Sequence, residues 1–135
     1  MRRIHSVLWL SAILISAALY AQTRTMEATI PFEFRIGNSV MPAGSYRVDY
    51  SPQMLRVREE HGNHIATRLL NSVDRVTPPS TGVLEFTRYG NDYFFSKIWI
   101  PGSAAGGALP KSSLEKELAS RPQVPERAEV ALRGK

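Results

Sequence analysis

The sequence contains no cysteine among its 135 residues. That removes disulfide staples, thiol nucleophiles, Cys-ligated zinc, iron–sulfur clusters and a lipid-modified cysteine behind a leader. It has no run of lysine or arginine either. The 17 basic and 12 acidic residues are spread along the chain, so the concentrated positive footprint that nucleic acid requires is missing. No G-x-S-x-G, Gly-rich phosphate cradle or H-E-x-x-H occurs. What remains is 43% apolar, too apolar for a wholly disordered chain and long enough for one domain that folds on its core alone.

Met1-Arg2-Arg3 followed by the apolar and small-residue run Val7–Leu19 has the layout of a secretory leader. Cleavage is expected after Ala21 rather than after Ala18. An uncleaved anchor is the rival, but Ile4–Tyr20 is only 17 residues, at the short limit for a bilayer core of about 30 Å. The expected destination is therefore periplasmic or extracellular, with no stable membrane insertion once the leader is removed. Loss of Arg2 and Arg3 lowers the net charge of +5 by two.

From Thr25 the apolar residues recur with a period of two. Phe32, Phe34 and Ile36 oppose Glu33 and Arg35, and Pro31 makes this first strand an edge or bends it. Gly37-Asn38 supplies a hairpin turn. Further strands are expected at Ser45–Tyr50, with Tyr46, Val48 and Tyr50 inward; at Met54–Glu60, with Leu55 and Val57 inward; and at 65–69, carried by Ile65, Thr67 and Leu69 after a hairpin tip at His61–His64. After the proline-rich break at Asp74–Gly82 come Val83–Tyr89 and Tyr93–Ile100. Strict alternation in the last strand puts Tyr93, Phe95 and Trp99 on one face and Phe94, Ile98 and Ile100 on the other.

These six strands predict a mainly β domain, a small antiparallel sandwich or partly open barrel, with a short C-terminal helix. The expected organisation is a secretory signal at 1–21, the β domain at 22–100, a Gly-rich linker at 101–110, a docking helix at 111–121 and a flexible tail at 122–135. Ser112 as N-cap with Glu115 three residues on forms the capping-box pattern, and Leu114 and Leu118 are the expected docking residues.

Candidate chemistry is sparse. Ser113 and Lys116 match S-x-x-K, but the companion motifs are missing and the helix cap accounts for these residues. His61 and His64 beside Glu59 and Glu60 are metal-ligand types across a turn, and also ordinary occupants of an exposed tip. Glu33 and Glu85 are the strand acids with bulky neighbours, and alternation turns both to solvent, away from the apolar pocket a hydrolytic acid needs. The aromatic group Tyr89, Tyr93 and Trp99 with Arg88 suits stacking on sugars, or equally a second core face under the helix. The pattern requires no cofactor.

Ile30-Pro31-Phe32-Glu33-Phe34, Met41-Pro42-Ala43-Gly44-Ser45-Tyr46, the stretch from Tyr93 to Trp99, and Leu109-Pro110-Lys111-Ser112 resemble a family of small exported β-rich proteins of acidobacterial type, over roughly Thr25 to Arg121. The resemblance implies a leader and a β-rich domain and carries over no catalytic residue. The expected function is a non-enzymatic exported domain with a binding or structural role at the cell envelope, its partner an envelope glycan or other extracytoplasmic ligand held by Arg88, Tyr89, Tyr93 and Trp99. The alternatives are a small secreted hydrolase or metal-dependent enzyme near His61 and His64, and a carrier of apolar small ligands.

Overall fold

The computed structural model describes residues 23–134, and the expected leader and its cleavage site lie outside the described residues. The described chain is mainly β with one short helix: β1 (Arg24–Ile30), β2 (Phe34–Ile36), β3 (Ser39–Met41), β4 (Gly44–Ser51), β5 (Met54–Glu59), β6 (Ile65–Leu69), β7 (Asn71–Asp74), β8 (Gly82–Tyr89), β9 (Asp92–Trp99), β10 (Ala105–Ala108), α1 (Ser113–Ala119) and β11 (Glu126–Gly134). Eleven strands replace the six expected.

Their pairing nearly closes a barrel. β1 lies between β11 and β4, and β4 leads to β5 and β6; on the other side β11 leads to β8, β9, β10 and β7, every one of these pairings antiparallel. Only Leu70 separates β6 from β7, so the pairing returns to the strand segment where it left off. The β2–β3 hairpin sits at the remaining seam. β2 runs parallel to β9 at Arg35 and Phe94, and Arg68 Nη2 of β6 donates to Ser39 Oγ at 2.8 Å.

Three of the five extra strands have identifiable causes. Pro31 ends the ladder of β1, and the chain crosses through Phe32 and Glu33 to start β2 in the other half of the barrel. β1 is thus bent out at its end but central, not an edge. The stretch expected as linker supplies β10. The stretch expected as tail supplies β11, whose Ala128, Val130 and Leu132 face inward between outward Arg127, Glu129 and Ala131. The β domain accordingly runs on past residue 100 to Gly134.

Side chains fill the interior. Tyr46, Val48, Leu55, Val57, Ile36 and Phe86 are buried at 2% exposure or less, as alternation predicts. On β6 the inward residue is Ala66, while Ile65, Thr67 and Leu69 face out. Phe32 stacks on Tyr93 with ring centres 3.7 Å apart, and Phe34 meets both Tyr46 and Phe86 edge-on at 5.3 Å. Phe34 therefore ties β4 to β8 across the barrel. At the β2–β3 turn Gly37 adopts φ +62°, and a Cβ there would lie 2.5 Å from Arg68 Nε.

Register shifts once between β8 and β9. Glu85 faces Lys97 but Phe86 faces Phe95, which leaves Ser96 as the extra residue of a β-bulge. The bulge reverses the expected faces beyond it: Tyr93 and Phe95 share the interior with Ile98 and Ile100, whereas Trp99 joins Phe94 outside.

Candidate functional site

The bulge decides where the expected aromatic group goes. Tyr93 points inward onto Phe32, and the Arg88 guanidinium, cross-strand from it, lies 5.5 Å from its ring centre. Arg88 also donates through Nε to Gly90 O at 2.6 Å and stands 3.6 Å from Glu126. Tyr89 points outward and is covered by α1, packed with Phe94 and Leu118. Trp99 is also on the outer face and is 6% exposed. The four residues expected to form one platform thus divide between two faces of β8–β9, and their ring surfaces are occupied by neighbours.

The helix is held by its own chemistry. Ser112 Oγ accepts from Glu115 N at 3.2 Å, one half of the capping box. The Glu115 carboxylate does not complete the box; it accepts from Tyr89 Oη at 3.1 Å, 4% exposed. Glu115 and Leu118 are the docking pair, and Leu114 faces solvent at the rim. Burial pushes the Glu115 carboxyl above its ordinary range, against the opposing effects of the Tyr89 hydrogen bond and the Lys111 ammonium. The Tyr89 phenol is pushed up to about 12 by burial, then by the charge of Glu115 and the bond to it.

Between α1 and Trp99 this outer face opens into a groove of about 270 Å³ lined by Glu85, Thr87, Ser96, Lys97, Ala108, Leu109, Lys111 and Glu115. Glu85 Oε2 accepts from Trp99 Nε1 at 3.0 Å, and the Arg75 guanidinium covers the Trp99 ring 5.0 Å from its centre. Thr87 and Ser96 share a hydrogen bond of 2.6 Å on the groove floor, so the bulged Ser96 aims its hydroxyl into the recess. Two carboxylates, two ammonium groups and two hydroxyls converge there. That set can bond a polyhydroxylated ligand in both donor and acceptor sense, with little net charge of its own.

The remaining candidates lie apart. His61 and His64 are exposed at the β5–β6 tip; His64 Nδ1 donates to Glu59 Oε2 at 2.8 Å, and this bond holds the Glu59 carboxyl below its ordinary range. Among the described residues no group of three or more His, Cys, Asp or Glu is placed to hold a metal. Glu33 is exposed on the crossover between β1 and β2, and Ser113 and Lys116 are exposed on α1.

Sequence reasoning turned Glu85 outward, set it aside as a hydrolytic acid, and named the capping serine; it singled out neither Lys97, Lys111 nor Arg75, nor the reach of Glu115 toward this groove. The adjacency of Ser112 and Glu115 was visible; the reach of Glu115 to Tyr89, 26 positions earlier in the chain, had no local signal. No protein-family model, no curated protein and no solved structure matches the chain.

Proposed function

We propose that this chain is an exported, periplasmic or extracellular barrel that acts by binding an envelope glycan rather than by catalysis, and that the ligand lies in the groove beside Trp99. The carrying observation is the balanced set of Glu85, Lys97, Lys111 and Glu115 around the Thr87–Ser96 floor, with Trp99 fixed at its rim by Glu85. Hydrogen bonding, not ring stacking, is the mode, because Arg75 covers the indole. The leader layout and the resemblance to small exported proteins support the location. Side chains occupy the barrel interior that an apolar-ligand carrier would need.

The test is thermal unfolding with and without soluble peptidoglycan and other envelope glycan fragments. A ligand at a hundred times its Kd stabilises the native state by about 2.7 kcal/mol. Lys97→Ala and Glu85→Gln are expected to abolish the rise in melting temperature. Absence of any rise, or a rise that survives both substitutions, rejects the groove.

A second reading is favoured by Glu115 alone. A buried carboxyl with a raised pKa in a cleft suits a general acid, so a small hydrolase would work here rather than at His61 and His64. It predicts glycan turnover that Glu115→Gln abolishes.

A further inference from the structure

The outer face of β4, β5 and β6 carries charges that the barrel does not use. Register sets Arg47 of β4 opposite Arg58 of β5, and like charges opposed across a ladder are destabilising. Arg56 stands two residues from Arg58 on the same face. Among the described residues none of these three guanidiniums forms an ion pair, and Arg47 Nε is buried with no hydrogen-bond partner. Carboxylates share this face: Glu27 stands opposite Arg47 and Asp49 opposite Arg56 in register, while Glu59 and Glu60 line the end of the cleft between Arg47 and Arg58. Asp49 accepts from Thr25 Oγ1 at 2.8 Å and Glu59 from His64 Nδ1, also at 2.8 Å.

The same face exposes apolar side chains. Leu69 is 75% exposed, and Met54, its register partner, 45%. Ile65, 45% exposed, stands opposite Arg58. Guanidiniums and apolar groups thus interleave on one unpartnered sheet face.

We propose that this face docks on an anionic lipid surface, with headgroup phosphates between Arg47 and Arg58 and beside Arg56, while Met54, Ile65 and Leu69 enter the boundary between headgroups and acyl chains. A phosphate shared by two guanidiniums relieves their opposition and matches their fork of donors. Charge alone would suit any polyanion; the apolar residues flanking the arginines single out a lipid surface, where both kinds of group find partners. This surface lies away from the Trp99 groove, so glycan-dependent stabilisation and lipid docking fail independently.

The test is sedimentation of the full chain with phosphatidylglycerol vesicles and with phosphatidylcholine vesicles, with the circular dichroism spectrum of every variant as the folding control. Arg56→Glu with Arg58→Glu, both exposed, is expected to weaken phosphatidylglycerol binding about tenfold or more. Arg121→Glu with Arg127→Glu removes the same charge elsewhere and is expected to leave it unchanged. Leu69→Ser, at constant net charge, is expected to weaken binding about threefold or more. Equal binding to the two lipids, equal loss in the two double variants, or binding indifferent to both, as anchoring by the apolar leader would give, overturns the proposal. So does failure of the wild-type chain to bind.

Discussion

Glu115 has one hydrogen-bond donor from a side chain, Tyr89, and a buried carboxyl whose protonated form the fold favours. A raised carboxyl pKa means that the folded state holds its proton more tightly than the unfolded chain, where the value is about 4.3. Its contribution to stability is therefore complete below that pH and is lost as pH rises through the folded value. Glu115→Gln cannot ionise and still accepts from Tyr89. The melting temperature of the wild-type protein is expected to fall relative to this variant between pH 4 and pH 7, which thermal unfolding at the two pH values checks. Tyr89→Phe leaves the carboxyl without its donor and should cost about 1–3 kcal/mol. Glu59 works in the opposite sense: its lowered pKa gives a contribution present at neutral pH and lost as pH falls through the folded value. At this scale the buried tyrosines of β4 and the outward arginines of β5 were legible from alternation. The Tyr89–Glu115 bond was not, because a carboxylate in the first turn of a short helix reads as solvated.

The β10 element shows why a glycine-rich stretch reads as linker. Gly and Ala are poor strand formers by propensity, yet here the missing side chain is the requirement. A Cβ on Gly106 would lie 2.4 Å from the Ile98 carbonyl and 2.7 Å from Trp99 Cε3; one on Gly107 would meet the end of the Leu70 side chain at 2.6 Å. The first neighbour is backbone of the paired strand and cannot yield without opening the β9–β10 ladder. The second is a flexible methyl. Gly106→Ala is expected to destabilise by about 2–3 kcal/mol and Gly107→Ala by less, in denaturant unfolding of the two variants. A reversed order would mean that the ladder, not the side chain, gives way easily. The β8–β9 hairpin carries the parallel lesson: its strand ends lie within one residue of the expected turn, but one bulged serine shifts the alternation, so that Trp99 stands on the opposite face from Tyr93 and Phe95. A bulge leaves no periodic trace in a strand with bulky residues on both sides.

Closure of the whole barrel depends on the last strand. β11 pairs with β8 from Glu126 to Leu132 and with β1 at Arg133 and Gly134, so it joins two strands more than fifty positions apart in sequence. Its own alternation is present in the sequence, but its inward residues are only Ala128, Val130 and Leu132, too little apolar surface to distinguish a strand from a polar tail without knowing that two open edges await it. Those edges make the segment indispensable. Leu132 is 3% exposed, and Leu132→Ala should cost about 2–5 kcal/mol. Against a typical stability of about 5–15 kcal/mol, a chain ending at Pro125 loses that packing, the burial of Val130 and both flanking ladders together. It is expected to show no cooperative thermal transition and to associate through the freed edges of β1 and β8, read by circular dichroism melting and size-exclusion chromatography. A frayed tail would leave both measurements unchanged, so a truncated chain that melts like the wild-type protein would remove β11 from the barrel.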